Sequence, residues 1–520
     1  MGEFTETLRA NRMRVAVLAV LLMGLVLAIS GMDTEDWILT LIRGLSTGAL
    51  IFLVAAGLSL IFGLLDVLNL AHGELFMLGA YVGWTVYVRP DTFIDLITPV
   101  ALLAVGFALT PVWESLIARR PLSPRLARIW PWLGLLAAAV VLFFALRAFE
   151  IAIWDPGVYA ESPVTQALNF SQGILVVPAA PEFATSPWLV MAGIVLGSVM
   201  LAVSVAGLSL SRRESVVRSE LPTRALLWGG GLLLLGVLFF VVNDPLTEFI
   251  LGLSTNWRFV LAILLATGTG ALLGAMIETT LVRPLYSRPL YQIMMTLGLS
   301  FIGIELVRTI WGQPEFTMPK PAIFDGGGEF CPATSLVDVF RYQCSTILLF
   351  DSRIRTYNEI FIILVGLVVL VAIWLLLQRT RLGMIIRAGV QDSDMVQALG
   401  INVRRIFTLV FALGAGLAAL GGVLAAPSIS LSIDMGTRFM LLALIALAIG
   451  GLTSFPGAAV GALLVGLMQQ FMIKYGQIGI NIPFLDEPFK PTPPLVPASV
   501  VLLMVIILLV LPNGLLGRKE

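Results

Sequence analysis

Long uncharged apolar runs recur from one end of this chain to the other, and they constrain it more than any other feature. A segment of roughly 17–25 apolar residues can cross a bilayer as a helix, and a chain built of such segments has lipid as its solvent. About fourteen runs can be read, near residues 13–30, 41–63, 75–87, 97–117, 132–149, 188–208, 224–242, 259–277, 293–310, 360–377, 406–426, 439–452, 458–473 and 496–511. Composition agrees: 58% of the 520 residues are hydrophobic and 12% are charged. A soluble domain carries about twice that charge. The reading is an all-α polytopic transmembrane bundle.

Arginine and lysine test this count, because they concentrate on cytoplasmic loops. They fall on alternate loops: Arg9, Arg12 and Arg14; then Arg119, Arg120, Arg125 and Arg128; then Arg212, Arg213 and Arg218; then Arg283 and Arg288; then Arg379, Arg381, Arg387, Arg404 and Arg405; and finally Arg518 and Lys519. All share one face if both termini are cytoplasmic. Residues 1–40 then form an N-terminal anchor span with a short external loop. Ala28-Ile29-Ser30 imitates a signal-peptide cleavage site, but the apolar run is long for one, so an uncleaved anchor is expected. The loop 312–358 falls outside and holds both cysteines, Cys331 and Cys344. On an oxidising face they are expected to form a disulfide.

Several chemistries are excluded. There is one histidine, His72, no cysteine-rich metal module and no G-x-x-x-x-G-K-[ST] phosphate loop. The net charge is zero, with no basic tract for nucleic acid. No metal or cofactor is expected in this chain.

Two stretches interrupt the apolar pattern. In the first, hydrophobic sequence runs into Asp66, Asn69, His72, Gly73 and Glu74 and resumes at once. Such a short polar segment reads as a broken or re-entrant helix near residues 64–74, tolerated where protein or a watery cavity satisfies its backbone. Asn69, His72 and Glu74 either line a translocation path or its gate, or they cap the break, with Glu74 favoured by the dipole of the next helix. Elsewhere, Glu305 and Arg308 stand at i and i+3 and suit an internal ion pair.

The second stretch is cytoplasmic, within residues 379–405. Asp392 or Ser393 can cap a short helix over residues 394–399, and Gly400 can end it in the left-handed conformation. This helix would expose Met395, Val396 and Leu399, either to a soluble partner or to the lipid interface.

At these two stretches the sequence resembles the permeases of the branched-chain amino acid ABC importer family, whose relatives also carry urea and short amides. The resemblance rests on Asn69-Leu70-Ala71-His72-Gly73-Glu74, on Glu278-Thr279-Thr280-Leu281-Val282-Arg283-Pro284-Leu285, on residues 380–461 and on the ending Leu511-Pro512-Asn513-Gly514. It implies a permease core at 41–88 and 257–517, with the cytoplasmic coupling loop at 379–405. It also implies that Asp394, Ala398, Gly400, Ile401 and Asn402 dock a separate ATPase, which would use ATP and Mg²⁺. Two ATP-binding subunits, a second permease subunit or copy, and an extracytoplasmic solute-binding protein would complete the system in a prokaryotic plasma membrane. Branched-chain amino acids are the expected cargo. A secondary transporter is the less favoured alternative, because few ionisable residues lie in mid-span. Residues 89–256 match nothing in the family pattern and read as an inserted region of four spans.

Overall fold

The computed structural model describes residues 12–118, 123–149, 156–174, 185–211, 223–286, 288–349, 352–391, 393–480 and 487–517. Of the basic residues above, Arg9, Arg119, Arg120, Arg212, Arg213, Arg218, Arg518 and Lys519 lie outside them, as does Asp392.

Every apolar run becomes helix. In chain order these are α1 (Arg12–Ser30), α2 (Thr34–Leu65), α3 (His72–Val88), α4 (Pro90–Ala108), α5 (Thr110–Ala118), α6 (Pro124–Ala148), α7 (Pro156–Ser171), α8 (Pro187–Ser211), α9 (Thr223–Val241) and α10 (Asn243–Gly252). There follow α11 (Thr255–Ile277), α12 (Pro289–Trp311), α13 (Leu336–Tyr342), β1 (Thr346–Leu349), β2 (Ser352–Arg355), α14 (Ile362–Arg379), α15 (Arg381–Gln391), α16 (Ser393–Ala398), α17 (Val403–Ala425), α18 (Met435–Gly450), α19 (Phe455–Ile478) and α20 (Leu495–Val510). Among the described residues ten helices are long and apolar enough to cross a membrane, and three shorter apolar ones accompany them. The protein is a polytopic helical bundle.

The run at 97–117 is not one straight helix. Pro111 lacks an N–H and crowds the preceding turn, so the chain stops at Leu109 and restarts as α5. Conversely, α2 begins well before the apolar run and spans 32 residues. Its N-terminal turn is held by other parts of the chain: Asp36 pairs with Lys474 at 2.6 Å, and Ser352 Oγ donates to the Glu35 carbonyl at 3.3 Å.

The chain divides into two compact units. One comprises Met1–Trp84, Thr255–Arg308 and Gln313–Glu520, and the other comprises Thr85–Ser254 with Thr309–Gly312. In the first unit, α2 packs against α17 and α19, and α11 packs against α17. Small residues set these approaches. Lipid tails are as apolar as leucine, so helices in a bilayer associate through close van der Waals contact rather than a hydrophobic drive. A methyl added to Gly466 would meet Gly48 N at 2.4 Å, and one added to Gly274 would meet Ala415 Cβ at 2.3 Å. The seam of α3 is as tight, with Gly79 against Ala419 and Gly83 against Val423.

The loop between α12 and α14 is a small fold of its own. A disulfide joins Cys331 to Cys344, with Cα atoms 5.5 Å apart. β1 and β2 pair antiparallel with Thr346 opposite Arg355. Ser335 caps α13 by accepting from Asp338 N at 3.2 Å. Ala333, Val339, Cys344, Ile347 and Ile354 form its core, against which Leu39 and Ile42 of α2 pack.

In the second unit α4 packs with α8 and α9, and α6 with α8. Arg89 is buried, and its guanidinium forks onto Asp91, with Nη2 to Oδ2 at 2.7 Å. Asn243 Nδ2 donates to Asp95 Oδ1 at 2.7 Å. Gly106 lies against Ser198, whose hydroxyl accepts from Gly106 N at 3.0 Å. These buried polar groups thus find partners within the unit, as a low-dielectric interior requires.

Candidate functional site: a helix break and a capped foot

Helix α2 ends at Leu65 because Asp66 adopts the left-handed conformation (φ 53°), with its N–H on the Phe62 carbonyl at 3.0 Å. Asp is among the few non-glycine residues that tolerate this region. The backbone through residue 69 is not helical. Asn69 is fully buried; its Oδ1 accepts from Ala71 N at 3.1 Å, and its carbonyl accepts from His72 N at 3.2 Å. This local turn launches α3. Thr296 of α12 accepts the Leu70 N–H at 3.3 Å.

His72 and Glu74 leave α3 in different directions, since two residues correspond to about 200° around a helix. His72, fully buried, sets Nε2 3.2 Å from the Val54 carbonyl of α2. A carbonyl can only accept, so Nε2 carries the hydrogen. Glu74 is buried on the other side. Its Oε1 accepts from Ser300 of α12 at 2.9 Å and from Thr437 of α18 at 3.4 Å. Gly73 lets α3 touch α18 directly, because a methyl there would lie 2.4 Å from the Gly436 carbonyl. Asn69 Nδ2, His72 Nδ1 and Glu74 Oε2 have no hydrogen-bond partner. The break therefore gathers three unsatisfied polar atoms in one buried segment, Asn69 in the turn and His72 and Glu74 on different faces of α3.

The foot, residues 393–402, is built by helix-capping rules. α16 covers only Ser393–Ala398. Gly400 sits at φ +81° and donates to the Gln397 carbonyl at 2.9 Å, while Ile401 N reaches the Val396 carbonyl at 3.3 Å. This pair of bonds is the glycine-terminated Schellman motif. Asn402 then caps α17, its Oδ1 accepting from Arg405 N at 3.2 Å. Met395 and Leu399 are 60% and 73% exposed, and Ala398 and Gly400 also face outward. Val396 does not: it is 4% exposed, contrary to the sequence expectation. It occupies the position whose side chain meets the residue after the capping glycine, here Ile401. The Asp394 side chain lies outside the described residues. Glu305 and Arg308 form an ion pair at 2.9 Å.

A third cluster was not legible as a unit in the sequence. Glu278 is fully buried at the end of α11, where a turn of π-helix runs over Glu278–Val282. Its carboxylate accepts from Arg283 Nε at 3.0 Å and Nη2 at 2.7 Å, from Tyr286 Oη at 2.7 Å and from Thr408 Oγ1 of α17 at 2.8 Å. Burial, and then the bond to Glu278, raise the Tyr286 phenol above its ordinary value, so it stays a donor.

Residues 40–511 match the family described as the branched-chain amino acid transport system permease component. Among curated relatives, the high-affinity branched-chain amino acid transport system permease protein LivH of Salmonella typhimurium is 27% identical over 278 residues, covering 52% of this chain and 78% of that protein. The corresponding permease protein BraD of Pseudomonas aeruginosa is 35% identical over 169 residues, or 32% of this chain and 49% of that protein. The fructose import permease protein FruF of Bifidobacterium longum is 32% identical over 125 residues, covering 22% and 34% respectively. No solved structure matches the chain.

Proposed function

The chain belongs to the branched-chain amino acid transport permease family, and on that premise we propose that it is the membrane-spanning subunit of an ATP-driven importer working by alternating access. The family is a transport component and not an enzyme, so the energy comes from separate subunits. Two ATP-binding subunits, which hold ATP and Mg²⁺, act on a pair of permeases, this chain with a homologue or with a second copy. An extracytoplasmic binding protein delivers the solute, and both termini face the cytoplasm. The cargo is leucine, isoleucine or valine, in keeping with the relatives' names.

The observation that carries this reading is the foot: a short helix with Met395 and Leu399 exposed, joined by the Gly400 turn and the Asn402 cap directly to the transmembrane helix α17. A push on α16 moves the end of a long helix rather than a loose loop. At the other end of the path, Glu74 with Ser300 and Thr437 lines the route of the solute, while Asn69 and His72 hold the break open. Cys331–Cys344 braces the external loop.

Site-directed crosslinking tests the docking. Cysteine at Leu399 should crosslink to the ATP-binding subunit in native membranes, more strongly in one nucleotide state than another. A Leu399→Cys permease that is active yet never crosslinks would sink the assignment.

A further inference from the structure

The helices α11 and α17 run against each other along small residues. On α11 the buried stripe is Ala262, Ala266, Gly270 and Gly274, and the next position in that four-residue series is Glu278. A carboxylate ending a seam of methyls and hydrogens is the wrong residue for packing alone, since burying an unpaired charge is costly. Here it is paired by design of the backbone. In an α-helix the fifth residue onward points about 140° away. The π-turn, whose Arg283 N–H bonds to the Glu278 carbonyl, brings Arg283 back over Glu278 instead. Arg283 Nη2 also reaches Thr408 Oγ1 at 2.5 Å, and Thr408 itself bonds to the Arg404 carbonyl at 2.9 Å. Arg404 and Thr408 lie in the first two turns of α17, just after the Asn402 cap. On its other side the π-turn is packed into an apolar cluster: Val282 with Ile61, Val67 and Phe411, flanked by Leu65, Ile277 and Tyr286. Val67 belongs to the helix break.

A continuous chain of contacts therefore runs from the cytoplasmic foot through α17 and the π-turn to the broken helix. We propose that Glu278, Arg283 and Thr408 form a transmission clamp that locks the ends of α11 and α17 into one lever, so that movement of α16 is delivered to the break at Val67. These are positioning residues, and the proposal rests on the reading of α16 as the ATPase contact. Ion-pair and hydrogen-bond networks joining rigid elements are one physical route by which coupling passes between distant sites.

The test uses the assembled importer in proteoliposomes and compares solute taken up per ATP hydrolysed. Glu278→Gln keeps the shape and removes the charge; it should co-purify with the ATP-binding subunits, keep basal hydrolysis and lose on the order of tenfold in uptake per ATP. Thr408→Val, a milder change, should lose less. The exchanged pair, Glu278→Arg with Arg283→Glu, should recover part of the lost coupling. If assembled Glu278→Gln transports at the wild-type ratio, the clamp is wrong. Should Glu278→Gln fail to assemble, Thr408→Val at a wild-type ratio overturns the proposal equally. Gly400→Trp separates the two readings. Uncoupling by Gly400→Trp with normal coupling in Glu278→Gln rejects only the clamp; normal coupling in Gly400→Trp rejects the α16 contact itself.

Discussion

Replacing Gly79 by alanine puts a number on the seam that holds the broken helix. The new methyl would lie 2.2 Å from the Ala419 carbonyl oxygen and 2.4 Å from its Cα. Ordinary contact begins near 3.4 Å, so α3 and α17 must separate by about 1.2 Å, the difference between 3.4 and 2.2. Both opposing atoms are backbone of a helix, which cannot swing aside as a side chain would. Overpacking of this kind costs about 1–3 kcal/mol. Against it stands the helix propensity gained over glycine, about 1 kcal/mol. The net expectation is a destabilisation of about 0–2 kcal/mol. Gly268→Ala in α11 is the control, because nothing lies within 4 Å of a methyl there. It should gain up to about 1 kcal/mol. Denaturant unfolding of the two purified variants in detergent should therefore separate them by about 1–3 kcal/mol, with Gly268→Ala the more stable. Uptake by Gly79→Ala should also fall, since α3 carries Glu74 five residues away. Equal stabilities, or a more stable Gly79→Ala, would refute the close approach of α3 to α17.

The second unit should be removable. Within the first unit, the two chain ends that flank it in sequence lie beside one stretch: Trp84 packs on Phe316 with ring centroids 4.9 Å apart, while Thr255 and Asn256 accept from Ala322 N and Ile323 N, each at 3.0 Å. Residues 316–323 reach at most about 25 Å, so a flexible linker of about ten residues can replace 89–254. Membrane-inserted protein that still binds the ATPase is the expected outcome, read by co-purification; loss of insertion would make the unit integral to the core. For the external loop, serine at both Cys331 and Cys344 should cost about 3 kcal/mol of local stability, from the entropy of a closed loop of this length. Faster protease cleavage between residues 331 and 344 would register it, and an unchanged cleavage rate would contradict it.

How much of this could be read in advance follows from where the information lies. Spans were legible because lipid forces apolar runs, and the break was legible because Asn69, His72 and Glu74 interrupt one. Gly400 announced a helix end through its missing side chain. What could not be read depends on geometry that no local pattern encodes. The burial of Val396 follows from the capping turn, which folds Ile401 back on it. Glu278 meets Arg283 because of a π-turn, and meets Thr408 across 130 residues of chain. The sequence marks that cluster by the Glu278–Leu285 motif and by a carboxylate at the end of the Ala262–Ala266–Gly270–Gly274 stripe, but neither shows the pairing. The extra turns of α2 depend on Lys474 and Ser352, distant residues that hold its outer end.

As proposed above, this chain moves its cargo only with energy supplied by a separate ATPase. Uptake of labelled leucine into proteoliposomes, with binding protein outside and ATP inside, measures that directly. Uptake should require ATP and the ATP-binding subunits together, and should persist when proton and sodium gradients are collapsed. Uptake by the chain alone, driven by an ion gradient and indifferent to ATP, would contradict it.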